Sequence, residues 1–393
     1  MYIGYTPEQE ALRQELRAYY QELLTPEIRA GLAEGHGTGE VMRQVVKQMG
    51  ADGWLGLGWP EEYGGQGRTA IEQFIWFDES MRAGAPVPML TINTVGPQIM
   101  HNGSQEQKDF FLPKILAGEL HFCIGYSEPQ AGTDLASLTT RADLDGDEYV
   151  INGQKLWTSL ASDADYCWLA VRTDPDAPKH AGLSILIVDL KNTPGIRIDP
   201  LHLLSDHDIN AVFFDDVRVP ARNIIGKPGQ GWKLITGQLN HERVTIASPG
   251  MFEGAYESTL QWAKDTKLED GRRVIDQDWV QLNLARVRAG LEFLRLINWK
   301  VAWSATQDRL DPADASTTKI HGTEFYLEGA RLLMEVTGQR GYLQTGSPET
   351  VGDGHLERLY RGLLILTFGG GTNEIQRDLI GLFGLGLPRI PRV

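Results

Sequence analysis

The sequence contains 393 residues, more than a single hydrophobic core usually organises, which predicts two or three packed units. Hydrophobic residues make up 41% of the chain and charged residues 23%, so the composition excludes a disordered or fibrous protein. Lys and Arg number 37 against 52 Asp and Glu, which gives a formal net charge of −15. Such a charge repels nucleic acids and anionic membranes, and we expect neither as a partner.

The cysteine content and the first residues bear on the compartment. Cys123 and Cys167 are the two cysteines of the sequence, too few for a metal cluster or a disulfide framework. The first residues contain neither a basic start nor an apolar run, and no stretch reaches the roughly 18 apolar residues of a membrane span. We therefore expect a cytoplasmic protein without a metal site.

Helical patterns dominate the first third of the chain. Thr6, Pro7 and Gln9 form a helix start with a capping box. The apolar residues that follow at helical spacing are Leu12, Leu16, Tyr19 and Leu23. Because such patterns alternate with short loops to about Glu119, we predict an N-terminal helical domain over 1–120.

The periodicity then becomes that of strands. The dipeptides Asp145-Gly146 and Asn152-Gly153 are typical of tight type I′ hairpin turns. Strand-like runs follow at 166–172, 183–188 and 212–219. We predict a middle antiparallel β-domain over 121–228.

Helical spacing returns after Gly229 and predicts a C-terminal helical domain over 229–393. The predicted buried face of one long helix consists of Val280, Leu284, Val287, Leu291 and Leu294. The order helical, β, helical gives an α+β fold class. We expect the three parts to pack together, because the sequence shows neither a flexible linker nor an internal repeat.

The segment 123–137, CIGYSEPQAGTDLAS, carries the first chemical signal. Ser127 and Thr133 offer hydroxyl groups, and Gly132 permits a close backbone approach. The segment lies where the helical region meets the β region, a favoured place for a cofactor cleft. An ordinary turn with a glycine is the alternative interpretation. Motifs for zinc, for phosphate loops and for serine hydrolases are absent from the sequence.

Four segments resemble, in the same order, signatures of the acyl-CoA dehydrogenase family: YSEPQAGTD at 126–134, GQKLWTS at 153–159, GQGW at 229–232 and GTNEIQR at 371–377. The resemblance covers nearly the whole chain. It implies the acyl-CoA dehydrogenase fold, in which an N-terminal helical domain and a middle antiparallel β-domain are followed by a C-terminal four-helix bundle. It also implies FAD between the β-domain and the C-terminal helices, with an acyl-CoA thioester against the flavin.

The resemblance assigns flavin contacts by position. Tyr126 and Ser127 are expected at the pyrimidine end and the N5 side, and Thr133 at the phosphates. Trp157 is expected to flank the other face of the ring, although a core aromatic in a hairpin is the alternative. The full set that the resemblance implies for FAD is Tyr126, Ser127, Thr133, Trp157, Thr158, Ser159, Thr372 and Glu374.

The general base is a departure from the common pattern. Removal of an α-proton from a thioester needs a carboxylate, and the thioester oxygen needs hydrogen-bond donors. Most family members have Glu just before the Gly-Thr of the last motif, and this chain has Gly370 there. The backbone N–H of Gly370 is expected to donate to the thioester oxygen. The other family position corresponds to Glu242, which we predict as the base, with Asn240 and Arg243 toward the acyl-CoA. A solvated Glu-Arg pair on a surface helix is the alternative.

A second departure from the family pattern concerns the part of the FAD site that the neighbouring subunit of a dimer contributes in family members. Lys267, Asp270 and Glu335 stand where an Arg, a Phe and a Gln are usual. Two carboxylates near a pyrophosphate would repel it. The resemblance therefore implies a homologous partner subunit in an α₂β₂ assembly with one FAD per heterodimer, as in actinobacterial steroid side-chain degradation. The glycines at 369–371 leave room for a bulky acyl group.

The predicted activity is oxidation of an acyl-CoA to its trans-2-enoyl-CoA. Three alternatives remain open: a homotetrameric isovaleryl-type dehydrogenase, an acyl-CoA oxidase, and a non-catalytic scaffold subunit. Electron-transfer flavoprotein is the electron acceptor expected from the family.

Overall fold

The computed structural model describes residues 4–35, 38–205, 208–245, 247–307, 309 and 311–388, and at 239–245 it describes the backbone only. In chain order the helices are α1 (Pro7–Leu23), α2 (Pro26–Glu34), α3 (Gly39–Ala51), α4 (Ala70–Ala83), α5 (Gly96–Asn102), α6 (Gln105–Leu116), α7 (Gly231–Thr245), α8 (Gly250–Asp265), α9 (Asp278–Thr306), α10 (Pro312–Thr337), α11 (His355–Gly362) and α12 (Asn373–Leu379). The strands are β1 (Phe122–Gly125), β2 (Arg141–Asp145), β3 (Glu148–Ser159), β4 (Tyr166–Arg172), β5 (Leu183–Asp189), β6 (Ile196–His202) and β7 (Asp208–Pro220). Within these described ranges, no helix is long and apolar enough to cross a membrane.

The described residues form two compact units. The first comprises those of 1–24, 69–85 and 243–393, and the second those of 25–68 and 86–242. The helical, β, helical order along the chain agrees with the predicted fold class. The domain boundaries at 120 and 228 stay a prediction.

The first unit is helical, and its core lies along α9 and α10. The predicted face of α9 is confirmed, because its apolar residues at alternating steps of four and three are all buried. They pack with α8 and α10 in one apolar cluster that includes Phe252 and Tyr326. Packing of this amphipathic stripe, rather than helix propensity alone, holds the long helices.

The start of α1 agrees with the sequence, but its buried face is shifted. The Thr6 hydroxyl accepts from the Gln9 N–H, and the Gln9 side chain accepts from the Thr6 N–H, so the capping box is confirmed. Tyr20 and Leu24 are buried, each one position after Tyr19 and Leu23 of the apolar pattern. Apolar residues occupy both neighbouring positions, and only tertiary partners decide between them. The Tyr20 hydroxyl forms a 2.6 Å hydrogen bond with the Ser80 hydroxyl.

The second unit contains a seven-stranded sheet in the order β1-β4-β2-β3-β7-β6, with β5 paired to β4. The pairs β2–β3, β3–β7, β6–β7 and β4–β5 are antiparallel, as the sequence predicts. The pair β1–β4 is parallel, and one residue pair joins β2 to β4 in the same sense. These parallel pairings were not predicted. Residues 126–165, which include the β2–β3 hairpin, form the long crossover connection that the parallel pair β1–β4 requires.

One of the two predicted hairpin turns is present. Asp145 pairs with Glu148 across the loop Gly146–Asp147, so the first hairpin is confirmed. Gly146 has a φ of +66°, whereas Asp147 has no positive φ. A positive φ at the first loop residue alone is the pattern of a type II′ turn, not the predicted type I′.

The predicted turn at Asn152-Gly153 is wrong, because β3 continues through it. Asn152 faces two residues of β7 in a β-bulge, and its side chain exchanges two 2.9 Å hydrogen bonds with Asp216. Gly153 has a φ of +146°, which favours glycine. The dipeptide therefore marks an irregular backbone within a strand rather than the end of one.

We expect Gly153→Ala to lower the free energy of unfolding by about 2–4 kcal/mol. A Cβ at this position would lie 2.8 Å from the Cα of Thr140, in addition to the strain of the positive φ. Gly146→Ala is the matched control, since its Cβ would meet no atom within 4 Å and only the φ penalty of about 1 kcal/mol applies. Urea unfolding of both variants measures the difference, and equal losses would contradict the bulge geometry.

Candidate active site

Tyr126 and Ser127 directly follow β1 in the second unit. The Tyr126 hydroxyl donates to Oε1 of Gln238 and accepts from Nε1 of Trp168 at 3.1 Å. The Ser127 carbonyl accepts from the N–H of Leu156 at 2.8 Å. These bonds tie the predicted flavin segment to β3 and to α7. The sequence analysis did not single out Gln238, which lies on α7.

Trp157 lies in a second bulge of β3. Two residues of β3, Leu156 and Trp157, oppose one residue of β7 between the pairs Lys155–Val212 and Thr158–Asn210. Trp157 has a φ of +60°, a strained conformation for an aromatic residue. Its indole is 52% exposed, so the core-aromatic interpretation is wrong.

Thr158 is the next residue of β3. Its side chain is buried, and among the described residues its hydroxyl has no hydrogen-bond partner. Its carbonyl accepts from Nδ2 of Asn210 at 3.0 Å. Buried hydroxyl groups are normally paired, so an unpaired one needs an explanation. Ser159 is half-buried, and Thr133 is exposed in the loop between β1 and β2.

The surroundings of Trp157 fit a flat ring system. A Cβ at Gly132 would lie 3.8 Å from Cζ3 of the indole, so the loop approaches the indole closely at a residue without a side chain. An exposed indole on a strained backbone, with a glycine beside it, forms a surface that a planar heteroaromatic group can cover. The residues present therefore fit a flavin.

Two buried charges lie beneath this surface, and the sequence analysis missed both. Lys155 and Glu128 are each 1% exposed, and Nζ lies 2.8 Å from Oε1. Burial raises the pKa of Glu128, but the Lys155 charge and several hydrogen bonds outweigh it and lower that pKa to about 2. Burial lowers the pKa of Lys155, against the opposing effect of Glu128.

Glu128→Gln is expected to remove a pH-dependent part of the stability. The folded-state pKa of about 2 lies below the ordinary 4.5, so the carboxylate stabilises the fold fully above pH 4.5 and loses this effect as the pH falls toward 2. The difference in unfolding free energy between the wild type and Glu128→Gln should be constant above pH 4.5 and shrink below it. Urea unfolding across this pH range measures it.

Asp134→Asn is the control from the same loop. Asp134 forms an exposed ion pair with Lys179 at 2.6 Å, and such pairs contribute less than about 1 kcal/mol. A constant difference for Glu128→Gln down to the lowest pH would contradict the lowered pKa of Glu128.

The C-terminal motif forms a glycine-rich turn in the first unit. Gly370 and Gly371 have φ values of +67° and +94°. Thr372 caps α12 by accepting from the N–H of Ile375 at 3.3 Å, and Glu374 is exposed in the first turn. The backbone N–H of Glu374 and the Thr372 side chain lower the pKa of Glu374.

A buried lysine holds this turn, and the sequence did not indicate it. Nζ of Lys319 donates to the carbonyls of Thr367 at 3.1 Å and Gly371 at 2.9 Å, and to Oδ1 of Asn373 at 2.7 Å. Lys319 lies on α10 and is fully buried. The backbone around Gly370 is therefore fixed from one side by a single ammonium group.

The predicted base lies on α7, whose backbone is helical through Thr245. The side chains of Asn240, Glu242 and Arg243 lie outside the described part of the structure, and their roles stay predictions. In the first unit, Asn298 donates from Nδ2 to the Ala247 carbonyl at 2.8 Å, and the Tyr326 hydroxyl donates to the Ser248 carbonyl at 2.5 Å. The chain just after α7 is thus firmly anchored.

Asp78 adds a third anchor at the same place. Its Oδ1 accepts from the Ser248 hydroxyl at 2.5 Å and from the Gly250 N–H at 2.8 Å. Burial raises the pKa of Asp78 to about 6, against these two hydrogen bonds. A Cβ at Gly250 would lie 2.1 Å from the Asp78 carbonyl, so this position requires glycine.

The residues at the predicted trans half have partners within their own chain. Asp270 accepts from Nε of Arg272 at 2.8 Å, and Oε1 of Glu335 lies 2.7 Å from NH1 of Arg331. The other Glu335 oxygen accepts from Asn283 at 3.0 Å. The neighbouring arginines offset part of each negative charge, so repulsion of a pyrophosphate is weaker than the sequence alone suggests.

Comparison with known proteins decides the family. Models of the acyl-CoA dehydrogenase N-terminal, middle and C-terminal domains match residues 6–119, 123–217 and 229–383. The chain belongs to the acyl-CoA dehydrogenase family. The resemblance, the fold and the oxidoreductase class predicted from the motifs are thereby confirmed. Members of this family are flavin-dependent.

Three similar proteins extend the comparison. Acyl-CoA dehydrogenase FadE26 of Mycobacterium tuberculosis is 55% identical over 401 residues, covering 100% of each chain. A chain in the ChsE4-ChsE5 complex from Mycobacterium tuberculosis has a TM-score of 0.94 at 55% identity, covering 99% of this chain and 100% of its own. A chain in the Tcur3481-Tcur3483 steroid acyl-CoA dehydrogenase has a TM-score of 0.94 at 47% identity, with the same coverage.

Proposed function

We propose that this chain catalyses FAD-dependent α,β-dehydrogenation of an acyl-CoA thioester to the trans-2-enoyl-CoA. The observation that carries the proposal is the exposed Trp157 indole on a left-handed backbone, next to the unpaired Thr158 hydroxyl. When bound, FAD supplies the acceptor for the substrate β-hydride. A scaffold subunit would have no need for such a surface, and this observation favours the enzyme.

The residues of the second unit would hold and shield the cofactor. Tyr126 and Ser127 sit on a segment fixed by hydrogen bonds, which suits a role in orienting a ring. The Trp157 indole would cover the other face of the ring and exclude water from it. Thr133 would contact the phosphates. The Thr158 hydroxyl, which has no hydrogen-bond partner among the described residues, would gain one. Ser159, Thr372 and Glu374 stay family-based expectations.

Glu242 is our proposed base, which removes the α-proton of the thioester. Gly370 replaces the carboxylate of the common family position and cannot accept a proton through its side chain. Its backbone N–H would donate to the thioester oxygen and stabilise the developing negative charge. Asn240 and Arg243 would lie toward the acyl-CoA.

Glu242→Gln should reduce the rate of flavin reduction by substrate about 10²–10⁴-fold, because the amide has the same shape but accepts no proton. FAD content should not change. Stopped-flow absorbance with the acyl-CoA measures the rate, and the flavin spectrum measures the content.

Glu257→Gln on α8 is the control, since Glu257 is an exposed residue that pairs with Arg82 at 3.1 Å. It should reduce flavin at the wild-type rate. Near-normal flavin reduction in Glu242→Gln would exclude Glu242 as the base.

We also propose that the chain works with a homologous subunit in an α₂β₂ assembly. One similar structure is the ChsE4-ChsE5 complex, and another, the Tcur3481-Tcur3483 steroid acyl-CoA dehydrogenase, also bears two protein names, which supports a partner of the same family. Lys267, Asp270 and Glu335 replace the residues that family members lend to a neighbouring FAD. The partner would supply them.

Co-expression with a homologue that carries the Arg, Phe and Gln should yield one FAD per two chains, because only half of the sites combine two complete halves. The chain expressed alone should contain little flavin. Flavin absorbance against protein mass gives the ratio. One FAD per chain in the protein expressed alone would instead support the homotetrameric isovaleryl-type enzyme.

A bulky, steroid-type side-chain acyl-CoA is our proposed substrate. The support is the steroid dehydrogenase among the similar structures, together with three glycines at 369–371 that add no side-chain bulk near the expected acyl pocket. Electron-transfer flavoprotein is the acceptor that we propose. Oxygen consumption without an added acceptor would indicate an oxidase instead.

A further inference from the structure

We propose that Glu128 and Lys155 act together as positioning residues, which hold the Tyr126–Ser127 segment and the Trp157 bulge in the one arrangement that receives the flavin. The proposal rests on the proposed function for the identity of the bound group. Neither side chain reaches the surface, and their effect would pass through the backbone.

Glu128 is the centre of a converging set of donors. Its Oε1 accepts from the Thr140 N–H at 2.9 Å and from Nζ of Lys155 at 2.8 Å. Its Oε2 accepts from the Thr139 N–H at 2.7 Å, the Thr139 hydroxyl at 3.0 Å and the Gln130 amide at 3.0 Å. One carboxylate thus closes the loop between β1 and β2 at both of its ends.

Lys155 connects this loop to β3. Its ammonium donates to the Tyr126 carbonyl at 3.1 Å as well as to Glu128. The next residue, Leu156, donates its N–H to the Ser127 carbonyl at 2.8 Å. Trp157, with its strained positive φ, follows at once. The bulge that exposes the indole therefore begins at the residue where β3 is joined to the Tyr126–Ser127 segment.

Stability alone is a poor explanation for this pair. Removing two charges from water costs much of what their attraction returns, and well-packed apolar residues of similar volume often stabilise a fold equally well. An apolar pair would, however, leave the N–H groups of Thr139 and Thr140 and the carbonyl of Tyr126 without these partners. What the charged pair provides is a fixed geometry for three backbone segments.

The test compares Lys155→Met with Lys179→Met in the complex with its partner subunit. Lys179 forms an exposed 2.6 Å pair with Asp134 of the same loop, so both variants remove a lysine that pairs with a carboxylate of this loop. Lys155→Met should weaken FAD binding at least tenfold, alter the visible circular dichroism of the remaining bound flavin, and speed amide exchange at Thr139, Thr140 and Leu156. Lys179→Met should change none of these.

A merely structural role would lower the unfolding temperature but leave the flavin circular dichroism of the folded protein unchanged, and that outcome would overturn the proposal. If Lys155→Met does not fold, the same measurements on Glu128→Gln test the proposal, because glutamine keeps the side-chain volume and one acceptor oxygen. Exchanging the two residues (Glu128→Lys with Lys155→Glu) should not restore FAD binding, since the Thr139 and Thr140 N–H groups would then face an ammonium. Restoration would show a simple charge pair and contradict positioning.

The amide-exchange measurement separates this inference from the proposed function. If the wild-type complex contains no FAD, the proposed function fails, whereas the exchange of Thr139, Thr140 and Leu156 still reports whether the pair orders these segments. Unchanged exchange in a folded Lys155→Met protein would refute the positioning role, whatever cofactor the wild type binds.

Discussion

Burial of a charged amine is the constraint on which the candidate segment of each unit depends. An ammonium group has three donors and no acceptor, so inside a protein it must be surrounded by oxygen atoms. Lys155 in the second unit meets this need with a carboxylate and the Tyr126 carbonyl. Lys319 in the first unit meets it with three oxygen atoms of 367–373. In each unit, one of the segments that the motifs single out packs around a single buried lysine.

The sequence predicted correctly those features that depend on interactions between residues close together in the chain. The capping box of α1, the apolar face of α9 and the Asp145-Gly146 turn all follow from residues within a few positions of one another. The Asn152-Gly153 dipeptide indicated a positive φ correctly but not its setting, because the pairing of β3 with β7 decides whether such a residue forms a turn or a bulge. The exposure of Trp157 depends on the same long-range pairing.

The Glu128–Lys155 pair could not be inferred from periodicity. Its members are 27 positions apart, and Lys155 occupies an inward position of a strand where an apolar residue is expected. Motif resemblance named the segments that contain them but gave no reason for either charge. Residue order and family likeness predicted a flavin segment, whereas the interactions that hold this segment emerged from the fold alone.

The left-handed backbone at Gly370 has an evolutionary consequence. A glycine codon can become a glutamate codon by one base change, so the common family carboxylate is genetically close. At a φ of +67°, however, any L-residue there starts with a conformational penalty of about 1 kcal/mol. Lys319 holds the adjoining Gly371 carbonyl, which hinders relaxation of the turn. A glutamate at position 370 is thus one base change away, but it carries a conformational cost that the turn has little freedom to relieve.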